Sequence, residues 1–86
     1  MKIHVRVDSM KAAEQLSSIC KDYSYELYLR SEKFCIDPKS TLGILAMMYS
    51  ARDEMYLDTA EMPDVEVPLF LEKLEAFLYE DEEEKE

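Results

Sequence analysis

The chain has 86 residues, 48% of them hydrophobic, and a formal net charge of −10. That is one domain's worth of chain, apolar enough to fold but too small for a deep pocket, because a domain of this size buries only about 60–65% of its unfolded surface. The charge disfavours nucleic-acid backbones and anionic membranes, and no apolar run approaches the roughly 20 residues that span a bilayer.

"KIHVRV" (2–7) alternates, with Ile3, Val5 and Val7 on one side and Lys2, His4 and Arg6 on the other. This is the pattern of a half-buried strand, not of a signal-peptide core, and a cytoplasmic location is expected. Asp8 and Ser9 follow as N-cap residues, and Ala12, Ala13, Leu16, Ile19 and Cys20 recur at helical spacing, which predicts a helix over about 10–22. "YELYLR" (25–30) and "KFCID" (33–37) read as two antiparallel strands joined by a short turn, with Tyr25, Leu27, Leu29, Phe34 and Ile36 facing inward. That turn lacks glycine, so Ser31 or Glu32 is expected to take a backbone conformation glycine takes more easily.

Pro38 ends the strand and Ser40 caps a short buried helix over about 41–50, with Leu42, Leu45 and Met48 on one face and Ile44 and Met47 broadening it. Gly43 lies in its first turn, where another group can approach closely. "EMYLDT" (54–59) is a fourth strand with Met55 and Leu57 inward. Asp64 or Glu66, with Pro68 close behind, opens a last helix whose stripe runs from Val67 through Phe70, Leu71, Leu74 and Phe77 to Leu78. "EDEEEKE" (80–86) holds six acids and one lysine, half of the net charge, and reads as a disordered tail behind a single domain at 1–79. Cys20 and Cys35 form no CxxC pair, and two buried thiols are expected.

The order is β-α-β-β-α-β-α. Four one-faced strands and three one-striped helices assemble most simply as an open-faced two-layer α/β (α+β) sandwich, a four-stranded antiparallel sheet with all helices on one face. The bare face would carry His4, Arg6, Glu26, Tyr28, Arg30, Cys35, Tyr56 and Asp58. Tyr28 and Tyr56 there are of a residue type that interfaces favour, so a monomer or a weak homodimer through that face is expected.

This order, with "KSTLGIL" opening the second helix, resembles HPr, the histidine phosphocarrier protein of the bacterial sugar phosphotransferase system. The resemblance covers about residues 2–78. Members of that family carry a Lys-Ser-apolar-apolar-Gly-apolar-apolar motif whose serine is a regulatory phosphorylation site in many Gram-positive bacteria. Lys39, Ser40, Leu42, Gly43, Ile44 and Leu45 fit it, while Thr41 is polar where the family is apolar. The family's catalytic motif, Gly-apolar-His-small-Arg-Pro-small, falls 31 residues before the serine, on "VDSMKAA" (7–13). Here Val7 replaces the glycine, Ser9 the histidine, Lys11 the arginine and Ala12 the proline.

The departures change the chemistry. A phosphate relay needs a nitrogen nucleophile near neutral pKa. A serine phosphoester is too stable to pass phosphate on, and Lys11 offers a point charge where arginine offers a fork. The expectation is an HPr relative that has lost phosphocarrier activity, has no cofactor or metal, and acts by binding proteins. Ser40 is its candidate regulatory phosphosite, with Lys39, Leu42, Leu45, Met48, Tyr28 and Tyr56 as contact candidates. The resemblance implies as partners a serine kinase of the HPr-kinase type or a transcription regulator. The alternative is a working carrier whose nucleophile is Ser9 or His4. The six methionines are mostly core-facing, at Met47, Met48 and Met55, and read as core filler, and the acids at Glu82–Glu84 as a solvated tail.

Overall fold

The computed structural model describes residues 2–51 and 55–78. The acidic stretch 80–86 and Glu54 of the expected fourth strand lie outside them. The described elements follow the expected order: β1 (Lys2–His4), α1 (Met10–Lys21), β2 (Tyr28–Arg30), β3 (Cys35–Ile36), α2 (Thr41–Ala51), β4 (Tyr56–Asp58) and α3 (Val67–Lys73). No described helix is long and apolar enough to cross a membrane.

The sheet is antiparallel throughout, in the order β1-β4-β2-β3. Since β1 and β2 both pair with β4, they run parallel to each other, and α1 is the crossover between them. α2 likewise connects β3 to β4, which both pair with β2. Register fixes the two faces: Ile3 pairs with Leu57 and Leu57 with Leu29, all buried, while His4, Tyr56 and Arg30 align on the other face. The buried row joins Leu16 and Cys20 of α1, Ile44 and Met47 of α2, and Phe70 of α3 in one core. At about 25 cal/mol per Å² of apolar surface removed from water, that shared core is the main source of stability.

The strands are shorter than their alternation suggests. Val5 lies just beyond the first, donating its amide to the Met55 carbonyl at 3.2 Å and bridging Leu78, and Tyr25 and Leu27 precede β2. Leu27 is nonetheless buried and Tyr25 packs against the core, so the alternation reported burial beyond the paired segments. Phe34, expected inward, is 47% exposed because it closes the hairpin turn and does not lie in β3.

That turn needs no glycine. Among the described residues no non-glycine φ is positive. The Ser31 amide donates to the Phe34 carbonyl at 2.9 Å, while the Phe34 amide donates at 3.2 Å to the Ser31 hydroxyl. The side chain takes the role a backbone carbonyl has in the tight hairpins that demand positive φ.

The last helix is also broken into pieces. Asp64–Glu66 form a 3₁₀ turn, α3 itself spans Val67–Lys73, and a second 3₁₀ turn follows at Glu75–Phe77. Neither acid caps α3 through its side chain. The Glu66 carboxylate instead accepts a short hydrogen bond from the Tyr25 hydroxyl. Leu78, expected on the helical stripe, is extended and bridges Val5, so the chain turns back onto the free edge of β1.

Candidate functional site

Ser9 is an N-cap. Its backbone is extended, and its hydroxyl accepts from the Ala12 amide at 3.1 Å. Its carbonyl accepts the first helical bond, from Ala13. The oxygen that would act as nucleophile is thus committed as an acceptor to the helix end. Val7, at the position where the resemblance places glycine, is fully buried in the core. Lys11 is exposed, and Met10 beside it is an exposed apolar side chain. His4 lies on the bare face of the sheet, its ring edge-on to Tyr56 at 6.2 Å between centroids. It faces away from the helical layer that carries Ser9.

The second motif is built as a braced turn. The Asp37 carboxylate accepts from the Lys39 amide at 2.9 Å, and the Asp37 carbonyl accepts from the Ser40 amide at 3.0 Å. Pro38 between them is buried. This is an Asx-type turn, which aspartate followed by proline favours. Two further bonds tie it to distant chain. The Ser17 hydroxyl on α1 donates to the Lys39 carbonyl at 2.9 Å, and the Lys39 ammonium donates to the Tyr25 carbonyl at 3.0 Å.

Ser40 then caps α2. Its hydroxyl accepts from the Gly43 amide at 3.2 Å and its carbonyl accepts from the Ile44 amide at 3.1 Å. The Ser40 side chain is exposed, and Leu42 next to it is 79% exposed. Gly43 starts the helix close to β3: a Cβ there would stand 3.3 Å from Ile36 Cδ1, the far end of that side chain.

Ser9 and Ser40 are not one reaction centre. The Ser40 turn is fastened beside Ser17, eight residues along α1 from Ser9, which is roughly 12 Å at 1.5 Å per residue. Among the described residues neither hydroxyl has a histidine or carboxylate as hydrogen-bond partner. The arrangement provides two capped, solvent-facing helix starts, each with a partial positive charge that favours an anion.

The contact candidates divide. Leu42 is on the surface, Leu45 is half-buried against the core, and Met48, expected as a contact residue, is only 8% exposed. The α2 stripe is centred on Ile44, Met47 and Met48, so Leu42 falls off its buried side and Met48 falls within it. Lys39 is half-buried and engaged in holding the turn. Tyr28 and Tyr56 are half-buried on the bare face, beneath cations. The Arg30 guanidinium lies 4.8 Å from the Tyr28 ring and the Lys2 ammonium 5.1 Å from that of Tyr56. Arg30 also pairs with Asp58 at 3.2 Å.

Both cysteines are free thiols, Cys20 buried and Cys35 exposed, so the expectation of two buried thiols fails for Cys35. It stands on the outward side of the two-residue strand β3, where no helix covers it. Burial pushes the Cys20 thiol up to about 12; nearby Lys39 lowers it and Asp37 raises it. Hydrogen bonding to Glu66 holds the Tyr25 phenol above its ordinary value. Among the described residues no cluster of three His, Cys, Asp or Glu is placed to hold a metal ion.

Sequence reasoning singled out Ser40 but not Ser17, which fastens it. The signal was present: Ser17 falls on the same side of α1 as Ala13, Leu16 and Cys20, and a hydroxyl on an apolar stripe needs a partner. No protein-family model matches the chain, and no curated protein or solved structure matches it.

Proposed function

We propose that this chain is a non-transferring relative of HPr, a small protein-binding module whose surface is switched by phosphorylation of Ser40. The single observation that supports this most is the Ser40 hydroxyl itself, exposed at the start of a helix beside the exposed side chain of Leu42. A phosphate there brings a charge of about −1.5 to −2 next to unpaired helix amides and the positive end of the helix dipole. The helix is already formed and capped, so the modification changes the surface a partner meets and leaves the fold in place.

Absence of transfer rests on Ser9. A capping serine without a base has neither the nucleophilicity nor the labile ester that a relay requires. In HPr-like proteins the starts of the first two helices together form the partner surface. Met10 and Leu42 are the exposed apolar residues at those places here, and a regulator or a serine kinase of the HPr-kinase type is the partner proposed.

The test has two arms. Incubation with phosphoenolpyruvate and the family's phosphoenolpyruvate-dependent kinase should give no phosphate on the chain, acid-labile or acid-stable. Incubation with ATP and an HPr-type serine kinase should label the wild type and not Ser40→Ala. Label in the first arm, acid-labile on His4 or acid-stable on Ser9, would instead favour a carrier using an atypical nucleophile.

A further inference from the structure

α3 buries Val67 and Phe70, and Leu74 at its C-terminal end, but leaves Leu69 57% exposed, and Val65, one turn earlier, is 87% exposed. Beside this row run two surface depressions. One, of about 380 Å³, lies between the chain leaving β4 and α3, with Met62, Val67, Pro68 and Leu71 in its wall. The other, of about 600 Å³, continues along the helix and shares Pro68 and Leu71 with the first. They meet at Pro68 and Leu71: the first is lined mainly by apolar side chains, and the second is a shallow, open extension lined by two apolar and two acidic residues.

The rim of this groove is acidic. Asp64 lines the first depression, and Glu72 and Glu75 line the second. None of the described lining residues is a cation. Lys73, the basic residue of α3, has its ammonium 5.0 Å from the Tyr23 ring and does not line the groove. Val65 and Leu69 do not line the depressions but directly follow the lining residues Asp64 and Pro68 in the chain, and apolar surface gathered in this way marks contact sites. A second copy of the chain is a poor occupant, since each copy carries a net charge of −10 and like charges repel across an interface.

We propose that this groove binds a short segment of a partner protein in which apolar side chains are flanked by lysine or arginine. The apolar side chains enter the floor over Met62 and Leu71, and the basic ones meet Asp64, Glu72 and Glu75. The groove is on a different helix from Ser40, so this binding stands or falls separately from phosphorylation.

The test is a titration of the full chain, followed by amide NMR shifts, with a short synthetic peptide of leucines and lysines. Oligolysine and a leucine–glutamate peptide serve as controls. The expected result is saturable shifts centred on residues 59–75, weaker binding of oligolysine and none of the glutamate peptide. Glu72→Lys with Glu75→Lys should weaken the affinity about tenfold, two surface charge pairs of about 0.7 kcal/mol each. Leu71→Ser, at a residue that also packs on the core, should weaken it too while the variant keeps the dispersed amide spectrum of the folded chain. Shifts centred elsewhere, equal binding of oligolysine, unchanged affinity in the charge-reversed variant, or no saturable binding would overturn the proposal.

Discussion

Replacing Ser17 by alanine removes one hydroxyl and should loosen the turn that carries Ser40. Ser17 is 1% exposed and donates at 2.9 Å to the Lys39 carbonyl, 22 residues away. Without it, the carbonyl loses that partner in a half-buried place, at a cost of about 1–3 kcal/mol. Alanine's better helix propensity returns about 0.5 kcal/mol. The net loss is therefore about 0.5–2.5 kcal/mol, which lowers Tm by roughly 2–20 °C in a domain of this length. Ser18→Ala is the matched control, because Ser18 is exposed on the same helix and should lose nothing. Thermal unfolding followed by circular dichroism reads both. Amide hydrogen exchange at Ser40 and Gly43 should also quicken in the Ser17 variant. A Tm for Ser17→Ala equal to that of Ser18→Ala would refute the claim that this bond fastens the turn.

Other expectations follow from the same geometry. Cys20 has its thiol raised from 9.0 to about 12 by burial. A raised folded-state value contributes stability that is complete below the unfolded value and is lost as pH rises towards the folded one. The urea midpoint should therefore fall between pH 9 and pH 12, and fall less steeply in Cys20→Ala; the raised Tyr25 phenol adds to the loss only above its ordinary value of 10.0. With a thiol reagent at neutral pH, Cys35 should react at once and Cys20 only on unfolding, as intact mass would show. Gly43→Ala should raise stability by about 0.5 kcal/mol in urea titrations, since the new methyl meets the mobile end of Ile36 at 3.3 Å and alanine is the better helix former. Arg30→Lys should cost about 0.5–1 kcal/mol, because lysine keeps the charge opposite Asp58 but loses the planar stack on Tyr28.

Much of this fold was legible because its faces are cleanly patterned. The alternation in "KIHVRV" and "EMYLDT" identified Ile3, Val5, Met55 and Leu57 as core residues, and all four are buried. Both serine caps were readable from residue type and position, and each hydroxyl makes its capping bond. What patterning does not encode is where pairing stops. Phe34 has the right parity for an inward side chain but sits in the turn, and Leu78 has helical spacing but follows a 3₁₀ turn that ends the helix. Met48 and Leu42 were read as one face because a three-residue step is nearly a helical turn. The core centre at Ile44 and Met47 puts them on opposite sides of the burial boundary. The roles of Ser17 and Lys39 depend on contacts across 22 and 14 residues, which local spacing cannot supply.

The most direct measurement is phosphate mapping on the intact chain after incubation with ATP and an HPr-type serine kinase, with a phosphoenolpyruvate arm beside it. The expected result is one acid-stable phosphate on Ser40 from the ATP arm and none from the other. A phosphate on Ser9 or His4 that the chain then hands to a second protein would contradict it.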